Sequence, residues 1–144
     1  MKSEPLVYNI DDLCRLGEDH WDGVRNYQAR NFMKKMQIND QVFFYHSNCE
    51  TPGIVGTMKI VKTAYPDHTA FDKSSKYYDA KSSEDEPRWF MVNVGKAKKL
   101  PSTISLQELK QYEELKELAL VKKGNRLSVM PVTEKHWQFI LSLI

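Results

Sequence analysis

The hydrophobic positions of the chain recur with two different periods, which predicts a mixture of strands and helices. Alternating or short continuous apolar runs predict five strands, at residues 6–10, 41–46, 54–65, 88–94 and 126–130. Apolar residues at helical spacing predict four helices: a short one capped by Asp11 or Asp12 and ended by Gly17, one from Asn26 to Met36, one from Ser105 through Leu115, and one from Thr133 to Ile144. Strands of unequal length mixed with short helices favour an α+β fold, in which a small curled sheet is flanked by helices.

Residues 66–87 form the longest polar segment of the chain. A segment of this length between two strands predicts a long loop, which in other proteins is either a functional flap or simply mobile. In the strand that follows, Phe90, Val92 and Val94 share one face, while Trp89 lies on the other. If the first face belongs to the core, Trp89 points toward a pocket or lies under the loop.

Composition and charge set limits on size and partner. The 144 residues, 41% hydrophobic and 28% charged, suffice for one domain spanning 1–144. The formal net charge of +2 allows a nucleic-acid partner without requiring one, because proteins that bind by phosphate contacts alone are usually more basic. The start of the chain lacks the apolar core of a signal peptide, and no apolar run is long enough to span a bilayer. We therefore expect a soluble protein of the cytoplasm.

Residues 21–48 carry the most distinctive chemistry, because they place aromatic rings beside arginine and amide groups. A ring that stacks, next to groups that bind polar edges, suits one flat heterocycle such as a nucleobase. Trp21 and Trp89 are the predicted walls of such a pocket. Two alternatives stay open: Trp21 as a loop anchor in the core, and Trp89 as part of a strand buried on both faces. Trp137 fits the apolar stripe of its helix and is predicted to be structural.

Polar side chains near these rings supply further candidates for ligand contacts. Arg25 is a candidate for binding a phosphate or a base edge, with an ordinary surface charge as the alternative. Asn26 is predicted to cap its helix, whether or not it also touches a ligand. The predicted strand at 41–46 ends in a polar group made of His46, Ser47 and Asn48.

Two further groups lie later in the chain. Arg126 and Ser128 are predicted to share one strand face, which makes both candidates for the pocket. Lys96, Lys98 and Lys99 follow the strand that carries Trp89, so they are candidates for phosphate contacts past a base pocket. The alternative for these lysines is a solvated surface, which is the usual place of such clusters.

The chain offers no sharp candidate for catalysis. His46 and Cys49 lie three residues apart, but nothing marks Cys49 as an activated thiol. The four histidines lack metal-ligand spacing, and no glycine pattern for phosphate binding occurs. Paired carboxylates at Asp67 and Asp72, or within 84–86, lie in polar loop sequence where solvated charge is expected. We therefore predict no catalytic residues, no metal site and no cofactor. A small enzyme acting on a nucleotide or base, and an adaptor that binds protein, stay open as alternatives.

Six ordered segments of the chain resemble the EVE domain family. They are KSEP at 2–5, WDGVRNYQAR at 21–30, FYHSN at 44–48, PGIVG at 52–56, PRW at 87–89 and GNRLSVMPV at 124–132. The resemblance runs from end to end, so we expect a single EVE domain with nothing appended. It implies a PUA-like fold: a small, strongly bent β-barrel of about five or six strands, flanked by short helices.

The resemblance also implies a function, the binding of a modified nucleobase in DNA or RNA without catalysis. The YTH domains of the same superfamily hold a methylated adenine of RNA in an aromatic cage. A modified cytosine in DNA is the first expectation, and a modified base in RNA the second. By motif position, the implied pocket contains Ser3, Trp21, Asn26, the edge formed by Tyr45, His46, Ser47 and Asn48, Trp89, Arg126 and Ser128. We expect a monomer, with a weak dimer as the alternative, and a nuclear location if the source is eukaryotic.

Overall fold

One mixed sheet organises the computed structural model, which describes residues 1–144. The strands are β1 (Lys2–Ser3), β2 (Glu18–Trp21), β3 (Gln41–His46), β4 (Gly53–Pro66) and β5 (Phe90–Ser105). The α-helices are α1 (Ile10–Leu16), α2 (Tyr27–Lys34), α3 (Leu106–Leu109) and α4 (Glu134–Leu141). Single 3-10 turns occur at His68–Ala70, Glu113–Leu115 and Ala119–Val121.

The five strands are ordered β1-β3-β4-β5-β2, with β1 parallel to β3 and every other pair antiparallel. The long pair β4 and β5 changes register at four places, and each irregularity increases the local bend and twist. The α+β prediction is confirmed. The sheet does not close, because β1 and β2 remain its two edges, and an open seam lies between these edges.

Two apolar cores lie on opposite faces of the sheet, as the alternation along β3 shows. Val42 and Phe44 belong to the first core, which also contains Trp21 and the buried faces of α1 and α2. Phe43 and Tyr45 belong to the second core, which contains the last helix. There Phe43 stacks on Trp137 with ring centroids 3.9 Å apart, which confirms the structural role predicted for that tryptophan.

Three of the four predicted helix N-termini are confirmed by their capping hydrogen bonds, and so is the predicted glycine stop of α1. The side chains of Asn26, Ser105 and Thr133 each accept a backbone N–H in the first turn of the following helix. Gly17 ends α1 with a φ of +82°, a conformation that favours glycine. The cap of α1 was predicted wrongly at Asp11 or Asp12, since Asn9 performs that role and Asp12 completes its capping box.

Three element predictions are wrong. Residues 6–10 form a turn leading into α1 instead of a strand. Residues 126–130 form no strand: Ser128 and Val129 lie in a bend, and one backbone hydrogen bond, from the Lys2 N–H to the Ser128 carbonyl at 2.8 Å, ties this segment to β1. The helix predicted from Ser105 through Leu115 ends at Leu109 and is followed by a separate 3-10 turn.

No helix of this fold has both the length and the apolar character needed to cross a membrane. The longest are α2 and α4, with eight residues each. The location in cytoplasm or nucleus stays a prediction.

Candidate nucleic-acid interface

A polar cleft of about 980 Å³ opens at the seam between the two edge strands. It is lined by β1, by β2 and the residues after it, by the residues that follow β3, by part of the 66–87 loop and by the bend near Ser128. Six of the predicted site residues line it together: Ser3, Trp21, Ser47, Asn48, Arg126 and Ser128. The open seam of the sheet therefore provides the concave surface that a base-binding site needs.

Trp21 lines the cleft and has only 7% of its surface exposed. Its ring meets Tyr8 edge-on, with centroids 6.2 Å apart, and Phe44 edge-on at 5.3 Å. Trp21 therefore fits both alternatives, because it belongs to the first core and also lines the cleft.

The wall on the β1 side is held by short polar contacts. The Ser3 hydroxyl donates to the Tyr8 carbonyl at 2.7 Å, and the Ser47 N–H donates to the Ser3 carbonyl at 2.9 Å. The Asn48 amide donates to a Glu4 carboxylate oxygen at 3.2 Å. These bonds fix the backbone of the wall. The lone pairs of the Ser3 hydroxyl and the Asn48 side-chain carbonyl oxygen stay free for a ligand.

The opposite wall comes from the 66–87 loop, through Lys76 and Tyr77. Tyr77 packs directly on the backbone of Gly23: a Cβ on Gly23, whose φ is +79°, would lie 2.5 Å from the Tyr77 Cζ. Only glycine permits both this approach and this backbone conformation. The tyrosine ring therefore adds a second aromatic surface to the cleft that contains Trp21.

Arg25 holds this wall in place, and all five of its N–H donors are used. They donate to the carbonyls of Tyr77 (twice, at 3.0 and 2.9 Å) and Val24, to the Asp67 carboxylate at 3.0 Å, and to the Thr69 hydroxyl. No donor is left for a phosphate or a base. The prediction of Arg25 as a ligand contact is corrected, because its guanidinium instead ties the loop to the body of the domain.

Asp67 is the buried partner of that clamp, with no exposed surface. Burial alone raises the pKa of a carboxyl, but hydrogen bonds from Thr69, the Gly23 N–H and Arg25 outweigh it and hold the pKa of Asp67 below its usual value. Asp67 was predicted to be a solvated loop charge. The loop is a packed segment anchored by this carboxylate.

Trp89 lies outside the cleft, so its prediction as a pocket wall is also corrected. Its indole N–H donates to Asp79 at 2.7 Å, and its ring stacks on Tyr27 with centroids 4.8 Å apart. Met91 and Val92 beside it are both buried, so the strand is covered on both faces. The alternative of a strand buried on both sides holds, and Trp89 secures the far end of the 66–87 loop.

Three further predicted contacts belong to the framework. The Asn26 side chain accepts the Ala29 N–H at 2.9 Å as a helix cap. Tyr45 lies in the second core, on the face of β3 away from the cleft. His46 Nε2 accepts the Ile10 N–H at 3.2 Å, and burial lowers the pKa of this histidine. A nitrogen engaged in this way is not free to act as a base, which counts against His46 in the enzyme alternative.

None of Lys96, Lys98 and Lys99 lines the cleft. All three are exposed on β5, which extends eleven residues beyond the end predicted at Val94, and Lys99 pairs with Asp11 at 3.0 Å. The basic residues that do line the cleft are Lys2, Lys76 and Arg126. No group of three or more His, Cys, Asp or Glu side chains is arranged to hold a metal ion.

Sequence reasoning missed several residues that line the cleft: Lys2, Tyr8, Asp19, Asp22, Lys76 and Tyr77. Asp19 shares a strand face with Trp21, but this spacing gave no signal in the sequence because β2 itself was not predicted. Nor did the 66–87 loop give a signal for Tyr77, whose position depends on bonds to residues more than fifty positions away.

Comparison with known proteins gives a consistent set of relatives. The sequence model of the EVE domain matches residues 1–143. Mouse thymocyte nuclear protein 1 is 48% identical to this chain, over 99% of the chain and 71% of the mouse protein. A crystal structure of a Pseudomonas syringae protein has a TM-score of 0.97 at 53% identity, covering 99% of this chain and 96% of the other. The crystal structure of human thymocyte nuclear protein 1 in complex with 5-methylcytosine-containing DNA has a TM-score of 0.94 at 45% identity, covering 99% and 94%.

Proposed function

The chain belongs to the EVE domain family, and from this premise we propose that it binds DNA carrying a modified base, 5-methylcytosine first, and holds that base in the cleft above Trp21. The observation that carries the proposal is the seam cleft itself, in which Trp21 and Tyr77 stand among hydrogen-bonding side chains. A relative of the same fold is known in complex with 5-methylcytosine-containing DNA. The role is binding without catalysis.

The energetics of such binding are balanced. Extrusion of a base from a duplex costs a few kcal/mol, and stacking on an aromatic side chain returns about 1–3 kcal/mol per base. The free energy of stacking on the two aromatic side chains is therefore similar to the free energy that extrusion of the base costs. The methyl group adds about 0.8 kcal/mol when buried, roughly a fourfold preference over unmodified cytosine.

A titration of labelled oligonucleotides tests the proposal. We expect saturable binding, with roughly fourfold tighter affinity for an oligonucleotide with one 5-methylcytosine than for its unmodified counterpart. Fluorescence anisotropy measures both affinities, and intrinsic tryptophan fluorescence reports whether the ligand reaches Trp21. Equal affinity for both oligonucleotides, with no change in tryptophan emission, would leave only general attraction to phosphate and would contradict the proposal.

The salt dependence of binding locates the phosphate contacts. Each contact to single-stranded nucleic acid contributes about −0.7 to the slope of log K against log salt concentration. We expect Lys76→Ala to flatten this slope by about that amount, because Lys76 lines the cleft. The matched control is Lys98→Ala, which removes an exposed lysine that does not line it. A flatter slope for Lys98→Ala with an unchanged slope for Lys76→Ala would restore the lysines of β5 as the phosphate site.

A further inference from the structure

Three carboxylates stand in the cleft where a nucleic acid would bring negative charge. Glu4, Asp19 and Asp22 balance the three cations Lys2, Lys76 and Arg126, so the cleft has no net positive charge when its histidine is neutral. Carboxylates near a phosphate backbone weaken binding unless they accept hydrogen bonds from the ligand. Their presence in a base-binding site therefore needs an explanation from the base itself.

Asp19 and Asp22 flank Trp21 along the chain, and one histidine lies between them. Asp19 lies two residues before Trp21 on β2, on the same face of the strand. His20 Nδ1 lies 3.3 Å from Asp19 Oδ1, and its Nε2 lies 3.2 Å from Asp22 Oδ2. A protonated His20 can therefore pair with one oxygen of each carboxylate at once, whereas the neutral imidazole has a single N–H and can donate to only one of them.

The second oxygen of each carboxylate has no hydrogen-bond donor of ordinary geometry within the chain. Asp19 Oδ1 also accepts the His20 N–H at 2.8 Å, but neither Asp19 Oδ2 nor Asp22 Oδ1 accepts such a bond. The buried Tyr8 hydroxyl lies beside Asp19, and burial together with contact with this carboxylate raises the pKa of the tyrosine, although the hydroxyl makes no hydrogen bond of ordinary geometry. Asp22 Oδ1 is thus an acceptor that no group of the chain fills, and Asp19 presents its carboxylate beside the Tyr8 hydroxyl, both close to Trp21 in the cleft.

A reader of 5-methylcytosine must also reject thymine, which carries the same methyl group. The two bases differ at the opposite edge, where cytosine has an amino donor and thymine a carbonyl acceptor. The methyl group cannot separate them, whatever pocket surrounds it. A carboxylate can, because it accepts from the cytosine amino group and repels the thymine carbonyl.

We propose that Asp19 and Asp22 form an amino-selective edge, which admits bases with an exocyclic amino group and rejects keto bases. This inference rests on the proposed function and adds its chemical selectivity. The cleft then discriminates twice: by a small margin for the methyl group, and by a larger one for the amino group. A good bidentate pair with a base edge gives roughly 5- to 150-fold discrimination, and a single carboxylate–amino contact belongs in the lower part of that range, against about fourfold for the methyl group.

The test uses four single-stranded oligonucleotides that differ only in a central 5-methylcytosine, cytosine, thymine or uracil. They measure the methyl preference and the amino-over-keto preference separately, and no base pair has to open. We expect the wild type to bind 5-methylcytosine over thymine, and cytosine over uracil, by at least about tenfold. Asp19→Asn and Asp22→Asn introduce an amide donor, so the amino-over-keto ratio should fall to within about threefold in at least one variant. The methyl ratio should stay unchanged in both.

Asp85→Asn is the matched control, since Asp85 is exposed in the 66–87 loop and does not line the cleft. An amino-over-keto ratio that is unchanged in both cleft variants would overturn the inference. So would equal tightening for all four bases, which would mean that the carboxylates only repel phosphate. In either case a persisting methyl preference would leave the proposed function standing, whereas its absence from the wild type would remove both. Circular dichroism confirms that each variant is folded.

Discussion

Replacing Arg25 with methionine is expected to lower the free energy of unfolding by about 3 kcal/mol and to weaken binding of the modified base together with it. Breaking a buried ion pair by removal of one partner costs about 3–5 kcal/mol. The lower end applies here, because the Arg25 side chain is 21% exposed while Asp67 is fully buried. Base affinity falls because the Tyr77 carbonyl loses both of the hydrogen bonds that Arg25 donates to it. Urea denaturation measures the first effect, and oligonucleotide titration the second.

Two further variants sharpen this experiment. Arg15→Met is the matched control, since Arg15 is 70% exposed and its pair with Asp12 is of the surface type that contributes 1 kcal/mol or less. Arg25→Lys keeps the charge but lacks the five-donor fork, so it should fall between wild type and Arg25→Met. Loss of affinity in Arg25→Met without loss of stability would contradict the clamp and would return Arg25 to the role of a direct ligand contact.

The stability difference between wild type and Arg25→Met should depend on pH in a direction that the pKa of Asp67 determines. Hydrogen bonds hold the pKa of Asp67 below its usual value. A carboxyl with a depressed pKa stabilises the fold at pH values above the unfolded pKa, about 3.9, and loses that contribution as the pH falls through the folded value. The difference between wild type and Arg25→Met should therefore be constant from pH 6 to 8 and should shrink only in acid.

The features of the fold that could be predicted from the sequence depend on local interactions. The caps at Asn26, Ser105 and Thr133 were predictable, because a cap depends on one side chain and the next three residues. Strand β2 was not, because its sequence Glu18–Trp21 has little β-propensity and it exists only through pairing with β5. Tertiary pairing overrode local preference at this strand.

The same distinction between local and tertiary interactions applies to the candidate site. Residues in the resemblance motifs, such as Ser3, Trp21 and Ser128, were predicted and lie together in the cleft. Arg25 and Trp89 came from equally distinctive motifs, yet they hold the 66–87 loop in place, and their partners Asp67 and Asp79 lie in sequence that looked merely polar. A motif shows that a residue matters, but only the three-dimensional contacts separate a ligand contact from a support.

The second large effect is expected from Trp21→Ala, which should weaken binding of a 5-methylcytosine oligonucleotide at least tenfold. Stacking accounts for about 1–3 kcal/mol per base, and Trp21 lines the cleft. The variant also removes a core side chain, at a cost of about 3–5 kcal/mol in stability. Binding must therefore be measured on protein shown to be folded, near the temperature of maximum stability at about 10–20 °C.

Trp137→Ala separates the two consequences of this substitution. Trp137 is 6% exposed against 7% for Trp21, so both variants lose a nearly buried indole and a similar amount of stability. Trp137 lies in the second core, on the opposite face of the sheet from the cleft. Its variant should keep base affinity within about twofold of wild type, because no cleft residue changes. If Trp21→Ala does not fold, Trp21→Leu retains apolar volume but removes the ring, and it should show the same selective loss. Equal loss of affinity in the Trp21 and Trp137 variants would mean that binding follows overall stability, and the cleft would then no longer be the site.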